Sequence, residues 1–305
     1  MNKPIIAIAG PTASGKSAVA LALAKKVGGQ IVSADSVQVY KRLDIGSAKP
    51  TAEEQKEVPH WLIDILDPWE NYSAARFCDA AIDAINKIRA MGDVPILCGG
   101  TGFYLRSVLY DLDFGAVPPN ETLRAELSQL DSQTLYQKLC GLSPDEGAKL
   151  HPNDRKRVIR AIEIAQSGAE KGAFRTQKKR FDFFQFCLTM PRETLYQRID
   201  ARVDAMMQAG FLKEAQELLA DPKISPDNAS MQSIGYKQLC AFCSGKCSLE
   251  EAVFQIKQQT RRFAKRQLTW FRHESDVLML DMAQLETAEH AADEIIRTAN
   301  LRYYL

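Results

Sequence analysis

Short apolar runs alternate along this chain with longer stretches in which apolar residues recur every three or four positions. The runs predict buried strands, and the periodic stretches predict amphipathic helices. Because strand, helix and strand follow one another, the pattern favours right-handed βαβ units and a parallel sheet. The predicted strands are 5–9, 31–34, 61–65, 95–98, 183–188 and 277–281. The sequence therefore predicts an α/β fold.

The predicted helices fall into two groups. Some lie between predicted strands, as at 17–26, 73–91 (with Ser73 as its N-cap) and 103–109. Others form a stretch at 121–168 that is helical throughout and is followed by a basic segment at 169–180. Further helices are predicted at 192–219, 233–242, 249–271 and from Glu286 onwards. The wholly helical stretch predicts an insertion into the α/β core.

A glycine-rich turn joins the first predicted strand to the first predicted helix. It reads Gly10-Pro11-Thr12-Ala13-Ser14-Gly15-Lys16-Ser17, which fits the phosphate-loop pattern. In such a loop the backbone N–H groups and the helix dipole attract phosphate oxygens, Lys16 adds a full charge, and the Ser17 hydroxyl is placed to bind Mg²⁺. The motif predicts a P-loop NTPase-like parallel sheet with a helical insertion domain. It leaves open whether the ligand is ATP, GTP or another diphosphate.

Other candidate groups follow later strands. Asp35 comes directly after the second predicted strand, and parallel strands place their carboxyl ends at one edge, so we expect it near the phosphate loop. A second glycine turn at 99–102 is either another anion cradle or only a tight turn. His60, beside Trp61 at the start of a predicted strand, is expected to be structural rather than a base. Three cysteines lie close together in the sequence, at Cys240, Cys243 and Cys247. We expect them to pack rather than to bind metal, since no histidine follows at a suitable spacing.

Composition narrows the class of protein only a little. The 305 residues are 46% hydrophobic and 25% charged, and the formal net charge is +1. A nucleic-acid partner would therefore have to be recognised by local basic patches. Because the seven cysteines are scattered, we expect reduced thiols in a cytoplasmic protein. The first strand begins almost at once, so we expect no signal peptide. No apolar run is long enough to span a bilayer, so we expect no membrane partner.

Several longer motifs occur in a fixed order. They are GPTASGKS from Gly10, DSVQVY from Asp35, IGSAKP from Ile45, PHWLID from Pro59, YSAARF from Tyr72, GGTG from Gly99, HPND from His151, IGYK from Ile234 and TRRFAKRQLTWFR from Thr260. Together they make the chain similar, over nearly its whole length, to the bacterial tRNA dimethylallyltransferases, also called tRNA isopentenyltransferases. Ser17 and Ser47 stand where many members have threonine, and Trp61 replaces a common histidine. None of these differences removes a charge from the expected centre.

The resemblance implies transfer of a dimethylallyl group from dimethylallyl diphosphate to N6 of adenosine 37, next to the tRNA anticodon. It implies that residues 10–17 hold the prenyl diphosphate rather than ATP, and that Mg²⁺ is the cofactor. The protein is expected to bind the tRNA anticodon stem-loop and to act as a monomer. The expected organisation is a phosphate-loop core at 1–115, a helical insertion at 116–180, a core strand at 181–192, a helical tRNA-binding region at 193–259, and a basic helix with a return to the core at 260–305.

The chemistry and the resemblance together select the candidate residues. The expected catalytic residues are Asp35, Ser17, Thr101 and Arg202. Negative charge develops on the departing diphosphate, so the site needs cations and N–H donors there. Asp35 is either the base that takes the N6 proton or a residue that holds Mg²⁺ through water. The expected tRNA contacts are Asp35, Ser36, Val37, Gln38, Thr101, Arg124, Lys156, Arg157, Arg160, Gly235, Lys237, Arg261, Arg262, Lys265 and Arg266.

The late basic helix contains aromatic and basic residues whose placement can be predicted. Phe263 and Trp270, a heptad apart, are expected to face the core rather than to stack on bases. The basic residues beside them also suit a solvated helix face.

Two rival functions remain open. One rival function is that of an ATP-dependent small-molecule kinase, for which Asp64 would supply a metal-binding acid. The other is an RNA-binding phosphate-loop NTPase that transfers no group.

Overall fold

A computed structural model describes residues 3–114, 117, 119–168 and 176–301. Within them, six strands form one sheet in the order β3-β2-β4-β1-β5-β6, and every pairing is parallel. The strands are β1 Ile5–Ala9, β2 Gly29–Ser33, β3 His60–Trp61, β4 Val94–Gly99, β5 Phe183–Thr189 and β6 Val277–Asp281. The predicted α/β class is confirmed.

The central strand β1 positions the phosphate loop. Each of its five residues is fully buried, because β4 and β5 flank it and helices cover both faces. In register, Ile8 lies between Cys98 of β4 and Phe186 of β5. The loop that follows Ala9 therefore emerges at the middle of the sheet edge where all strands end, the usual ligand edge of parallel sheets.

The helices largely follow the predicted pattern. They are α1 Lys16–Val27, α2 Ala52–Glu57, α3 Ala74–Ala90, α4 Gly102–Leu109, α5 Glu121–Ser128, α6 Ser132–Leu142, α7 Pro144–Gly147, α8 Arg155–Ser167, α9 Arg192–Gln208, α10 Phe211–Leu219, α11 Tyr236–Cys243, α12 Leu249–Arg272, α13 Met282–Leu285 and α14 Ala288–Thr298. The Ser73 hydroxyl accepts a hydrogen bond from the Arg76 N–H, which confirms the predicted N-cap of α3.

Several predicted elements differ from the structure, including the predicted helix 233–242, which begins at Tyr236. The predicted strand 61–65 ends at Trp61, because Leu62 and Asp64 have left-handed backbone angles, φ 63° and 56°, and turn the chain away. The predicted helix 192–219 is two helices separated at Gly210, whose φ is 101°. The final long helix begins at Ala288 rather than Glu286, with Thr287 as its N-cap.

The chain forms two compact units, Met1–Tyr110 with Lys179–Leu305, and Asp111–Lys178. In the first, α1 and α14 cover one face of the sheet with Leu23, Val27 and Ile295. In the second, α5, α6 and α8 pack around a core of their own, formed by Leu127, Leu135, Leu139, Val158 and Ile162. The finer predicted division of the chain remains a prediction. Among the described helices, none combines the length and apolarity needed to cross a membrane.

Candidate active site

The phosphate loop adopts the backbone that its glycines allow. Gly10 has φ 150°, and a Cβ there would lie 3.1 Å from the carbonyl oxygen of Leu188 on β5. Gly15, with φ 94°, is the N-cap of α1 and has no side chain to cap the helix. The first N–H groups of α1 therefore remain available to an anion. Ala13 also has a positive φ, 63°, which is a strained conformation for a residue with a Cβ.

Lys16 is held at the loop with its ammonium close to the backbone. Its Nζ lies 3.2 Å from the carbonyl oxygen of Pro11. Burial lowers the pKa of Lys16; Arg202 acts in the same direction, and the acidic groups of Cys98 and Asp35 oppose the shift. Because the charged form lacks water here, a bound polyanion would stabilise it strongly. The Cys98 thiol beside it has a pKa raised to about 11 by burial, so it stays protonated at neutral pH.

A cavity of about 280 Å³ lies over the loop. Its wall contains the loop residues Thr12, Ala13, Gly15, Lys16 and Ser17 together with Asp35, Arg198, Arg202 and Gln267. The Arg198 guanidinium covers the loop, with Nη2 3.7 Å from the position that a Cβ on Gly15 would take. Burial lowers the pKa of Arg202, and the nearby Asp35 carboxylate opposes that shift. Three cations therefore surround one anion-binding loop, which suits a ligand with several negative charges.

A second cavity, of about 350 Å³, adjoins the first. Its wall is largely apolar and includes Ile199, Val203, Met206, Phe211, Ile234, Ile256 and Phe263. Thr12, Asp35, Ser47, Arg202 and Phe263 line both cavities. Asp35 and Arg202 therefore lie where a polyanion site meets a mostly apolar one.

The loop after β2 fixes the orientation of Asp35. Its Oδ1 accepts hydrogen bonds from the N–H groups of Val37, at 2.8 Å, and Gln38, at 3.3 Å. The described residues place no hydrogen-bond donor on Oδ2, which leaves that oxygen for a substrate or metal. Ser36 and Val37, predicted as tRNA contacts, line the second cavity.

Gln38, also predicted to contact tRNA, is engaged within the protein. Its Oε1 accepts from the Ser33 hydroxyl at 2.9 Å, and its Nε2 donates to the carbonyl oxygen of Ala48 at 3.1 Å. The side chain therefore ties β2 to the loop at 44–49. Gln38 also lines the first cavity, so it shapes the wall while holding that loop.

Glu214 on α10 holds the same loop from the other side. Its carboxylate accepts hydrogen bonds from the N–H groups of Asp44, Ile45 and Gly46 at 2.7–3.1 Å and from the Tyr236 hydroxyl at 2.6 Å. Glu214 could not be identified from the sequence, because it lies far along the chain from the loop and has no local signature. Its bonds fix the wall that Gly46 and Ser47 give to the second cavity.

Asp64 does not reach either cavity wall. The Lys49 ammonium binds it at 2.6 Å and also binds Asp44 at 2.5 Å. The metal-binding role that a kinase would require of Asp64 is therefore not supported. His60 does line the first cavity, but its Nδ1 lies 2.8 Å from the Val58 carbonyl oxygen and burial lowers its pKa, so it is a neutral wall residue.

Close packing explains the glycines of the second turn. A Cβ on Gly99 would lie 2.2 Å from the carbonyl oxygen of Ala34, and one on Gly100 would lie 2.2 Å from Nε2 of Gln267. A Cβ on Gly102 would lie 2.2 Å from the Trp270 ring. These contacts favour the tight-turn interpretation over an anion cradle. Thr101 is the N-cap residue of α4. In this segment Cys98 and Gly99, rather than Thr101, line the first cavity.

The basic helix α12 differs from the prediction in its aromatic residues. Phe263 lines both cavities, and Trp270 is 39% exposed and meets Phe103 edge-on, so the expectation that both face the core is wrong. Arg262, Lys265 and Arg266 are exposed, and Arg266 reaches the second cavity. Arg261 is instead paired with Asp200 at 2.6 Å. Gln267 carries no sequence signature of a functional residue, although it contacts the phosphate loop directly.

The other predicted tRNA contacts lie at the second cavity or on helix surfaces. Gly235, with φ 99°, precedes α11 and lines the second cavity, and Lys237 is exposed on α11. In the second unit, Lys156 and Arg157 are exposed on α8. Arg124 and Arg160 are paired there with the buried carboxylate of Glu163. The three cysteines at 240, 243 and 247 are free thiols, and no group of three His, Cys, Asp or Glu within the described part of the chain is arranged to hold a metal.

Sheet topology, loop and cavities together define a phosphate-loop α/β protein whose polyanion site opens beside an apolar cavity. A family model described as IPP transferase matches residues 38–274, and the chain belongs to that family. A protein of Exiguobacterium sp. called tRNA dimethylallyltransferase is 46% identical over 92% of this chain and 91% of its own. One of Trichlorobacter lovleyi, called tRNA dimethylallyltransferase 1, is 46% identical over 96% and 98%.

Two solved structures of similarly named enzymes resemble this chain in fold. The tRNA isopentenylpyrophosphate transferase of Bacillus halodurans superposes with a TM-score of 0.75 at 38% identity, covering 99% of this chain and 98% of its own. A eukaryotic dimethylallyltransferase described as acting on tRNA superposes with a TM-score of 0.81 at 31% identity, covering 98% of this chain and 79% of its own.

Proposed function

We propose that this protein transfers the dimethylallyl group of dimethylallyl diphosphate to N6 of adenosine 37 in tRNA, next to the anticodon. The observation that carries the proposal is the placement of Asp35 and Arg202 at the junction of the two cavities. The cationic cavity suits the diphosphate, and the larger, more apolar cavity suits the purine base. The dimethylallyl carbon would then lie between them. Relatives named tRNA dimethylallyltransferase support the proposed reaction.

The phosphate loop stabilises the diphosphate leaving group. As the carbon–oxygen bond breaks, its electron pair goes to the diphosphate, and negative charge grows on the oxygens. Lys16, Arg198, Arg202 and the N–H groups at the start of α1 stabilise that charge more in the transition state than before it. Because burial lowers the pKa of Lys16, its proton is held most firmly when the polyanion is present.

The nucleophile is served by Asp35. The N6 lone pair is delocalised into the purine ring, so its proton becomes acidic only as the new carbon–nitrogen bond forms. Oδ2 of Asp35 takes that proton, while Oδ1 keeps its hydrogen bonds to Val37 and Gln38. The base must leave the anticodon-loop stack to reach the cavity, at a cost of a few kcal/mol. Phosphate contacts elsewhere on the tRNA offset this cost.

Mg²⁺ is proposed as the cofactor. The Ser17 hydroxyl and the Asp35 carboxylate line the same cavity and offer the oxygen ligands that Mg²⁺ prefers. When bound, Mg²⁺ neutralises charge on the diphosphate. Ser17 would hold it, and Asp35 would face it while it also faces the base.

The tRNA is proposed to bind through its anticodon stem-loop. We attribute contacts with backbone phosphates to exposed cations of each unit separately: Lys156 and Arg157 on α8, and Arg262, Lys265 and Arg266 on α12. We also propose that the protein acts as a monomer in the cytoplasm, where its tRNA substrate is found. Light scattering of the purified protein, alone and with tRNA, checks the oligomeric state.

Mass spectrometry of tRNA nucleosides tests the proposal directly. Purified protein is incubated with unmodified tRNA, Mg²⁺ and dimethylallyl diphosphate, and we expect N6-isopentenyladenosine at position 37. A parallel incubation with ATP in place of the prenyl diphosphate is expected to give no product. Strict dependence on added ATP, or phosphorylation of a small molecule instead, would favour the kinase.

A further inference from the structure

Gln267 of α12 lies between the two glycine turns at the carboxyl edge of the sheet. Its Oε1 accepts a hydrogen bond from the Thr12 N–H at 2.9 Å, and its Nε2 donates to the Gly100 carbonyl oxygen at 2.9 Å. The side chain is only 6% exposed. Because one amide end needs a donor and the other an acceptor, these two bonds fix the orientation of the side chain.

The surroundings are shaped to admit this amide. A Cβ at Gly100 would lie 2.2 Å from Nε2 of Gln267, so only glycine lets the side chain reach its partner. One turn of α12 later, Trp270 lies against Gly102 in the same way. Gln267 therefore joins the segment after β1 to the segment after β4, and it holds both against α12.

The bond to Thr12 acts on a loop that local forces alone do not hold. The next residue, Ala13, has φ 63°, a strained conformation for a residue with a Cβ. Ser14, one residue further, has a buried hydroxyl with no partner among the described residues. A strained loop keeps its shape only when its surroundings hold it, and Gln267 supplies a bond from outside the loop.

We propose that Gln267 is a positioning residue that sets the shape of the phosphate loop for the diphosphate. It acts through Thr12, because both of its polar ends are bonded to the protein. Gln267 directly follows Arg266, which lines the second cavity, so the helix proposed to contact tRNA also fixes the diphosphate site. The inference rests on the proposed function only in taking the loop as the diphosphate site.

The test uses inorganic pyrophosphate with Mg²⁺ as the probe, measured by calorimetry on the full chain. Gln267→Met keeps the length of the side chain but leaves the Thr12 N–H and the Gly100 carbonyl unpaired. We expect its Kd for pyrophosphate to rise roughly tenfold to a hundredfold. Gln255→Met, at an exposed position of the same helix, is the matched control and should bind like the parent.

A second variant separates positioning from general loss of structure. Gln267→Glu retains an acceptor for Thr12 but places a charge against the Gly100 carbonyl. When its carboxyl is protonated it can again donate to Gly100, so we expect pyrophosphate binding, relative to the parent at each pH, to recover as the pH falls. A weakened core would instead give a recovery of binding that only follows the recovery of unfolding stability measured at the same pH values. Gln267→Glu also provides a readout if Gln267→Met folds poorly.

Two outcomes would overturn the inference. One is a Gln267→Met Kd within about twofold of the parent, since two lost buried hydrogen bonds should have a larger effect. The other is an equal loss of tRNA affinity, which would indicate general loosening of α12. Failure of the proposed function has a different signature, because the parent would then bind pyrophosphate yet leave tRNA unmodified.

Discussion

Arg124 and Glu163 form a two-point ion pair in the helical unit, with Nε 2.8 Å from Oε1 and Nη2 2.9 Å from Oε2. The Glu163 side chain is 1% exposed, and it also accepts from Arg160 at 3.3 Å and from the Asn120 N–H at 2.8 Å. The Arg124 bonds lower the pKa of Glu163 against the effect of burial, so the carboxylate stays charged. Two arginines predicted to contact tRNA are therefore also structural.

Charge reversal at Arg160 is accordingly expected to damage the fold. Arg160→Glu would bring a second carboxylate to a buried one and would also remove the donor to the Val117 carbonyl. Breaking a buried ion pair costs about 3 kcal/mol or more. Chemical denaturation of the variant should show this loss of stability, and unchanged stability would indicate that water reaches Glu163.

Arg157 is the better probe of tRNA binding by α8. Its side chain is 75% exposed, and within the described part of the chain its one ion-pair partner is Asp154, one turn earlier. Arg157→Glu should keep the stability, weaken tRNA binding, and lower the slope of log K against log salt by about one. Lys138→Glu, also exposed but on α6, is the control and should leave the slope unchanged. Equal slopes for the parent and Arg157→Glu would indicate that Arg157 is a solvated surface residue that does not contact the tRNA phosphates.

Asp35→Asn tests the proposed base. The amide oxygen can still accept from Val37 and Gln38, so the loop should keep its shape, but the residue cannot take the N6 proton. We expect single-turnover rates to fall roughly 10²- to 10⁴-fold while tRNA affinity is nearly kept. A defect that shrinks at high Mg²⁺, with weaker diphosphate binding, would instead assign Asp35 to the metal. A rate within a few-fold of the parent would exclude both roles.

Lys16→Met tests the buried charge at the loop. Because burial lowers the pKa of Lys16, the unfolded chain keeps that proton to higher pH than the native chain. The cost of the buried charge is then fully present below the native pKa and falls as the pH rises through it. Lys16→Met should therefore melt several degrees higher than the parent at neutral pH, and the difference should narrow at alkaline pH.

The same variant should lose its response to ligand. Pyrophosphate with Mg²⁺ should raise the melting temperature of the parent but not that of Lys16→Met. Thermal melts of both proteins, with and without pyrophosphate across a range of pH, provide the measurement. A melting difference that is the same at every pH would contradict the titration of Lys16 as its cause.

Local patterns in the sequence were sufficient to predict the sheet core, the phosphate loop and the beginnings of several helices. β1 could be predicted residue by residue, because a central parallel strand is apolar throughout. The loop could be predicted because its glycines and lysine act within eight consecutive residues. The place of Asp35 followed from topology alone, since parallel strands end at one edge. In each case the physical cause is local or follows from strand order.

Contacts between distant segments could not be predicted, because they form only when the chain has folded. Gln267 binds Thr12, which lies 255 positions away, and nothing near either residue indicates the bond. The choice between core and cavity for Phe263 depends on where α12 crosses the sheet edge, since helical spacing gives a shared face but not what that face meets. The early end of β3 likewise depends on Lys49 binding Asp64 and Asp44, which together hold the chain in its turn.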